Sequence, residues 1–166
     1  MDMLGDFLNS AWARHLNPLS WYIRPLFILP FCYFAYKKSV WGMALTVAAV
    51  TSSMFWFPVP ATPDPRAVAL LAVEREYVGG PWTLGRIVLT ALVPIWFVAL
   101  AWTVRRRSWL GVATVIGSGT LLKVGWLFRV AGSSAWAIVP PVALGTAACA
   151  GLLLIAYTRV RRRSPA

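Results

Sequence analysis

Four apolar runs, each long enough to cross a lipid bilayer as a helix, constrain this sequence more than any other feature. A helix needs about 20 apolar residues to cross the hydrocarbon layer. The runs are Ser39 to Val59, Trp82 to Val104, Trp109 to Val130 and Ala135 to Tyr157. A fifth run, 19–36, carries Arg24, Pro25 and Pro30, so it can be kinked or re-entrant. The pattern predicts an all-α integral membrane protein, with a bundle of about five transmembrane helices in a single membrane domain.

Basic side chains follow the apolar runs instead of forming one continuous patch. The 166 residues are 59% hydrophobic and only 13% charged, with a net charge of +11. The clusters are Lys37 and Lys38, then Arg105, Arg106 and Arg107, then Arg159, Arg161, Arg162 and Arg163. Placing every cluster in the cytoplasm makes the spans alternate and leaves all five acidic residues outside.

This charge pattern predicts a topology and not a nucleic-acid surface, so we expect no nucleic-acid partner. It places the N-terminus outside and the C-terminus in the cytoplasm of a plasma (inner) membrane. The preference for Arg over Lys is typical of a bacterial protein.

Two outer segments predict helices that lie in the membrane interface, because both are too short to cross it. Over residues 3–16, apolar side chains such as Phe7, Leu8 and Trp12 recur at helical spacing. Over residues 65–78, Asp64 is placed to act as an N-cap, and Pro65 takes the first helical position.

Small and aromatic residues predict how the helices pack and where they end. Small side chains recur at every fourth position in two runs and predict helix-packing faces; they are Ala113, Gly117, Ala143, Ala147 and Gly151. Aromatic side chains near the ends of the runs, Trp21 among them, predict interfacial positions. No duplicated half is apparent, which argues against an inverted-repeat transporter within one chain.

Charged residues at membrane depth indicate the candidate site, because each costs several kcal/mol there unless it is paired or hydrated. The candidate residues, all displaced toward the outer side, are Arg24, Arg86, Lys123, Arg129, Glu74 and Glu76. They predict a basic outer-leaflet pocket that binds an anion or a lipid headgroup, roofed by an interfacial helix. Glu74 or Glu76 is expected to pair with one or two cations. The alternative is that each long side chain reaches the headgroups on its own.

No pattern of residues indicates a catalytic centre, and we expect no metal and no cofactor. His15, the single histidine, lies beside Arg14 and predicts a headgroup contact more readily than a base. Zinc, haem and copper centres need further histidine or cysteine ligands. Cys32 and Cys149 both fall in apolar runs, where a thiol behaves as a small hydrophobe.

Three functions remain open at this stage. The first is a non-catalytic subunit or accessory factor whose basic outer-leaflet pocket binds a lipid headgroup or a partner. The second is an oligomeric transporter or channel for an anion or small amphiphile, with Arg24 and Lys123 lining the route. The third is an outer-leaflet lipid-phosphate enzyme with Glu74 or Glu76 as the base. We favour the first, so the expected partners are membrane lipids and either another membrane protein or a second copy of the chain.

Overall fold

The computed structural model describes residues 3–162, and the regular elements of that segment are all helical. The helices are α1 Met3–His15, α2 Leu19–Leu26, α3 Ile28–Tyr36, α4 Val40–Ser52, α5 Pro65–Gly79, α6 Leu84–Arg105, α7 Trp109–Ala131 and α8 Val139–Arg162. Short 3₁₀ turns occupy Ser53–Phe55 and Gly132–Ala137. No strand occurs in residues 3–162, which confirms the all-α fold. Asp2 and Arg163, used above to infer topology, lie outside the described residues.

Two helical segments are long and apolar enough to cross a membrane. They are Leu84–Arg105, with mean hydropathy 2.3, and Trp109–Ala137, with mean hydropathy 1.4. In the most apolar 18-residue stretch of each segment, only 6% and 17% of the residues are buried, whereas the core helix of a soluble protein is mostly buried. Val40–Phe55 and Val139–Ile155 are apolar but shorter. Five crossings therefore remain a prediction.

The run from 19 to 36 forms two helices, with a break at Phe27. Pro25 and Pro30 have no backbone N–H to donate, so the regular hydrogen-bond ladder is interrupted here. The backbone N–H of Phe27 bonds to the carbonyl of Arg24 at 3.1 Å and tightens the last turn of α2. Because of this break, α2 packs on α8 while α3 packs on α4 and α6.

The contact between α2 and α8 uses a different face from the one predicted. Pro141, Gly145 and Cys149 are buried on this face, and the Cys149 thiol donates to the carbonyl of Pro25 at 3.3 Å. A side chain at Gly145 would collide with the Pro25 ring. The predicted small positions are exposed or meet no neighbouring helix: Ala113, Gly117, Ala143, Ala147 and Gly151. That prediction is wrong within one chain, because the α8 sequence holds two stripes of small residues and its spacing does not choose between them.

A compact turn joins α3 to α4. Lys38 has a left-handed backbone, with φ of 57°, and the N–H of Ser39 bonds to the carbonyl of Phe34 at 2.9 Å. This is a helix C-cap of the Schellman type. The Ser39 hydroxyl then accepts from the N–H of Gly42 at 3.1 Å and caps the next helix.

The same turn joins α6 to α7. Arg107 has φ of 56°, and the N–H of Ser108 bonds to the carbonyl of Thr103 at 3.0 Å. The Ser108 hydroxyl accepts from the N–H of Gly111 at 3.2 Å. We call residues 37–39 and 106–108 the twin turns. The matching sequences Lys-Lys-Ser-x-x-Gly and Arg-Arg-Ser-x-x-Gly form a repeated hairpin, although no half of the chain is duplicated.

Two apolar clusters hold the bundle together. One lies near the twin turns and contains Phe31, Cys32, Ala35, Leu100, Val104, Val112 and Ile116. The other contains Trp21, Ala67, Leu70, Leu71, Leu127, Ala135 and Ile138. Trp21 is only 5% exposed, so its ring packs within this cluster and not at the protein surface. Its indole N–H can be buried because it donates to the carbonyl of His15 at 3.1 Å.

Candidate functional site

Four ionisable side chains from four helices form what we call the charged cluster: His15 of α1, Arg24 of α2, Glu74 of α5 and Lys123 of α7. His15 lies at its centre and is only 5% exposed. One imidazole nitrogen, Nε2, is 3.3 Å from Nη1 of Arg24 and 3.7 Å from Oε2 of Glu74. The helices that carry these residues are joined by the apolar cluster around Trp21 and Leu70.

Both ring nitrogens of His15 lie close to donor groups. A guanidinium group can only donate, so Nε2 accepts where it meets Arg24. Nδ1 is 3.3 Å from the indole Nε1 of Trp21, which also donates to the backbone carbonyl of His15 at 3.1 Å. Nδ1 is also 3.3 Å from the hydroxyl oxygen of Ser20, and that hydroxyl donates to the carbonyl of Asn17 at 2.8 Å. These contacts favour a neutral imidazole, since a protonated ring has no lone pair for Arg24.

The electrostatics of the cluster agree with a neutral imidazole beside an ionised carboxylate. Burial lowers the pKa of His15, and the positive charge of Arg24 lowers it further, against an opposing effect of Glu74. Burial by itself raises the pKa of Glu74, but His15 and the charges of Lys123 and Arg24 outweigh it, and the net pKa is lowered. At neutral pH the cluster thus holds two cations and one anion, because His15 carries no charge.

Arg24 is fixed on two sides and keeps donors to spare. Its Nε donates to the hydroxyl of Ser53 at 3.1 Å, and that hydroxyl donates in turn to the carbonyl of Val50 at 2.6 Å. Its Nη1 contacts His15, as described above. Its second terminal nitrogen, Nη2, makes no hydrogen bond within residues 3–162. The guanidinium is therefore positioned but not saturated.

Lys123 is the least constrained member of the charged cluster. The residue reaches the protein surface, but the surrounding atoms strongly desolvate its ammonium group, and it makes no hydrogen bond or close ion pair in the described part of the chain. Its charge nevertheless acts on both Glu74 and His15. An ammonium group held near a guanidinium, with one carboxylate to balance the two, leaves a net positive charge that attracts an anion.

Three of the six predicted site residues lie elsewhere. Nη1 of Arg86 donates to the carbonyls of Tyr77 at 3.1 Å and Glu76 at 3.4 Å, so Arg86 caps the C-terminal end of α5. The Glu76 side chain is exposed beyond the cluster. Arg129 is exposed farther along α7 and has no partner in the described segment. The structure brings together Arg24, Glu74 and Lys123, and only Glu74 of the two acids takes part.

His15 is the participant that the sequence did not reveal, together with Ser20, which contacts its ring, and Ser53, which accepts from Arg24. Its position at the end of α1 predicted an exposed residue in the interface. Burial results from Trp21, whose ring lies edge-on to the imidazole with 6.0 Å between centroids. The Asn17-Pro18 turn, which ends α1 and leads into α2, was the available local signal. Nothing in the sequence pairs position 15 with position 74.

The order Ser20, His15 and Glu74 superficially matches a nucleophile, a base and an orienting acid. Ser20 is fully buried, however, and its proton is committed to the carbonyl of Asn17. A substrate carbonyl therefore has no route to this oxygen. Within residues 3–162 no group of three or more metal-ligating side chains is placed to hold a metal ion.

A cavity of about 150 Å³ adjoins the cluster at Trp21 but is unsuited to an anion. Its lining is Leu16, Pro18, Trp21, Pro60, Thr62, Pro63, Asp64, Ala67 and Ala137. Asp64 is the charged group in this lining, and it would repel a negative ligand. Anion binding would therefore use the exposed side of the charged cluster at Lys123.

The chain matches no family model, no curated protein and no solved structure. Its function has to be argued from the chemistry of the charged cluster and from the apolar surface that surrounds it.

Proposed function

We propose that this chain is a multi-pass protein of the plasma membrane, a non-catalytic subunit or accessory factor, whose charged cluster binds an anionic lipid headgroup in the outer leaflet. The observation that carries the proposal is the state of Lys123. This cation makes no hydrogen bond or close ion pair among residues 3–162, and it interacts electrostatically with Glu74 and with an Arg24 that has unused donors. A phosphate group satisfies both cations at once.

The proposed topology follows the distribution of apolar and charged surface. Side chains such as Leu84, Val98, Leu110 and Leu121 are each at least 69% exposed, which is costly in water and favourable in lipid. The broken pair α2 and α3 would make one crossing, and α4, α6, α7 and α8 the other four. The basic twin turns would face the cytoplasm. Helix α5, which carries Glu74 and Glu76, would then lie at the outer surface with the charged cluster.

Each member of the charged cluster has a role in this proposal. Arg24 supplies directed N–H donors, and Lys123 supplies a mobile positive charge on a flexible stem. The ionised Glu74 keeps the two cations from repelling each other before the ligand arrives. His15 holds the guanidinium through Nε2 without adding charge. The cluster therefore binds and releases an anion without a chemical step.

The test is native mass spectrometry of the tagged protein, extracted gently from its own membrane. Wild type is expected to retain an anionic phospholipid, and Lys123→Met to lose most of it. Arg129→Met is the matched control, because it removes one positive charge from the same helix outside the cluster. It should retain the lipid.

Three outcomes would contradict the lipid proposal. Equal loss of lipid in Lys123→Met and Arg129→Met would mean that the lipid responds to the total positive charge of the protein and not to a specific site. Full retention of lipid in Lys123→Met, with raised stability, would mean that Lys123 merely extends to the headgroups. If the wild type carries no lipid and co-purifies with another protein in stoichiometric amount, the ligand of the charged cluster would be an acidic segment of that protein and not a lipid headgroup.

A further inference from the structure

A groove lies between α4 and α6, beside the twin turns and away from the charged cluster. It encloses about 280 Å³, and its lining is Val40, Met43, Val98, Ala101, Trp102 and Arg105. The walls are apolar, and one cation stands among them. Such a combination suits a molecule that has both a hydrocarbon chain and a negative group.

Neighbouring cations in the twin turns are already engaged with aromatic rings. Lys37 lies 6.0 Å from the centre of the Tyr33 ring, and Arg106 lies 4.8 Å from that of Trp102. The negative face of each ring partly stabilises the positive charge that lies over it. Arg105, by contrast, makes no hydrogen bond, ion pair or ring contact with any residue between 3 and 162. Its guanidinium is exposed at the groove.

The other hairpin provides an internal comparison, because both turns have the same hydrogen-bond pattern. Residues at equal distances from Ser39 and Ser108 therefore correspond. Val112, at the position that matches Met43, is 5% exposed and belongs to the core, whereas Met43 is only half-buried. Val40 is 66% exposed, and its counterpart Trp109 is half-buried. The positions of the second hairpin that match Val40 and Met43 are thus more buried, and Val112 packs in the apolar cluster that includes Phe31 and Ala35 of α3.

The same comparison separates Arg105 from its counterpart Tyr36. The Tyr36 ring is covered by Arg107, whose guanidinium carbon lies 5.3 Å from the ring centre. Arg105 has no such cover within the described residues. Arg105 therefore has no neighbouring group over its side chain in that part of the chain, whereas Tyr36, at the matching position of the first hairpin, is contacted by Arg107.

An anion would meet no repulsion in this region. No Asp or Glu occurs in α3, α4, α6 or α7, while the twin turns and the end of α6 carry five cations. The cations are Lys37, Lys38, Arg105, Arg106 and Arg107. Among these five, Arg105 is the cation in the groove lining, so the complement of the groove is an anionic amphiphile whose negative group meets Arg105.

We propose that this groove is a second lipid site, which binds an anionic phospholipid with its phosphate on Arg105 and one acyl chain along Val98, Ala101 and Met43. This site is independent of the charged cluster and lies in the opposite leaflet. The chain then holds one anionic lipid on each side of the membrane, and the α4–α6 groove anchors the twin turns to the lipid surface.

The experiment titrates the purified, delipidated full chain with phosphatidylglycerol and counts bound lipids by native mass spectrometry. Wild type should bind phosphatidylglycerol about tenfold more tightly than phosphatidylcholine, a difference of about 1.4 kcal/mol. Arg105→Gln should remove this preference at one site. Ala101→Phe, which fills the groove and keeps the charge, should weaken binding to a similar extent.

Arg107→Gln is the matched control, since it removes a charge from the adjacent turn while leaving the groove intact. It should change the affinity less than twofold. An equal effect of Arg107→Gln and Arg105→Gln would overturn the proposal in favour of a diffuse basic surface. Unchanged binding of phosphatidylglycerol in Ala101→Phe would show that the groove takes no part in binding. If the wild type does not prefer phosphatidylglycerol over phosphatidylcholine, the second lipid site is wrong regardless of the variants.

The number of bound lipids keeps this proposal distinct from the proposed function. If both are right, Arg105→Gln loses one lipid, Lys123→Met loses the other, and the double variant loses both. If only the charged cluster fails, wild type retains one lipid, which Lys123→Met leaves in place and Arg105→Gln removes. Loss of all lipid through Lys123→Met alone contradicts the groove site.

Discussion

Cations are accommodated in two different ways in this protein, in the twin turns and in the charged cluster. In the twin turns, Lys37 and Arg106 each lie over an aromatic ring four residues earlier in the same hairpin. The charged cluster lies roughly 20 Å farther along α7, at a rise of about 1.5 Å per residue. There, Arg24 and Lys123 are brought beside His15 and Glu74 from two other helices.

The comparison teaches that the two regions should respond differently to mutation. Each twin turn is a local structure, stabilised by contacts within a few residues, so a change in one turn leaves the other intact. The charged cluster depends on a single carboxylate, Glu74, which faces two cations. Its removal affects every other member at once.

The largest effect is expected when Glu74 is replaced by Gln, because Arg24 and Lys123 then lose their balancing charge. We expect a loss of about 2 kcal/mol, or roughly 4–8 °C in unfolding temperature. This lies below the cost for a fully buried pair, because 28% of the Glu74 side chain is exposed. A thiol-reactive dye can follow unfolding, since Cys32 and Cys149 are both buried.

Glu76→Gln is the control, because it makes the same chemical change on an exposed side chain of the same helix. It should leave the unfolding temperature within about 1 °C of wild type. Equal destabilisation by Glu74→Gln and Glu76→Gln would mean that Glu74 contributes no more to stability than an exposed glutamate of the same helix.

A pH titration should give the next largest effect. His15 has a lowered pKa in the folded protein, so the unfolded chain takes up a proton first as the pH falls through the ordinary value of 6.5. Stability is therefore complete above that value and declines below it, by at most about 1.4 kcal/mol per pH unit for one proton. The lowered pKa of Glu74 adds a further loss near and below its ordinary value of 4.5.

The measurement is the unfolding temperature between pH 7.5 and 5.5 for wild type and His15→Gln. The variant lacks the titrating ring, so its curve should be flatter over this range. A wild-type stability that rises on acidification would show that His15 is protonated in the folded cluster, contrary to its contact with the Arg24 guanidinium, which can only donate.

The smallest effect belongs to the twin turns. Ser39→Ala and Ser108→Ala each remove one N-cap hydrogen bond and should each lower stability by about 1 kcal/mol. Because the turns match, the two losses should be equal and should add in the double variant. Ser118→Ala, within α7, is the control and should have little effect. Unequal or strongly non-additive losses would show that the turns are not equivalent units.

Much of the local structure could be predicted from the sequence. Asp64 does cap α5, by accepting from the N–H of Arg66 at 2.7 Å, and Pro65 is its first residue. The break near Phe27 follows from two prolines in one apolar run. The repeated Ser-x-x-Gly of the twin turns was also present in the sequence, and it specifies their N-caps. All of these features depend on neighbours within about five residues.

The composition of the charged cluster was only half predictable. Depth in the apolar runs singled out Arg24 and Lys123, because a cation there needs a partner or a ligand. It also singled out Arg86, which instead caps α5, and Arg129, which stays exposed. His15 was missed because its burial depends on where α1 lies against α2 and α5.

By itself, the sequence determined that the described chain is helical, where caps such as Asp64 begin a helix, and that its cations gather beside apolar runs. Hydrogen bonds within a few residues decide such features, and they form in the same way wherever the helix lies. Only the tertiary structure decided that Glu74 and not Glu76 enters the charged cluster, and that Gly145 and not Ala143 faces α2. Successive residues turn by about 100° around a helix, so packing selects the face, and the face decides which charges meet.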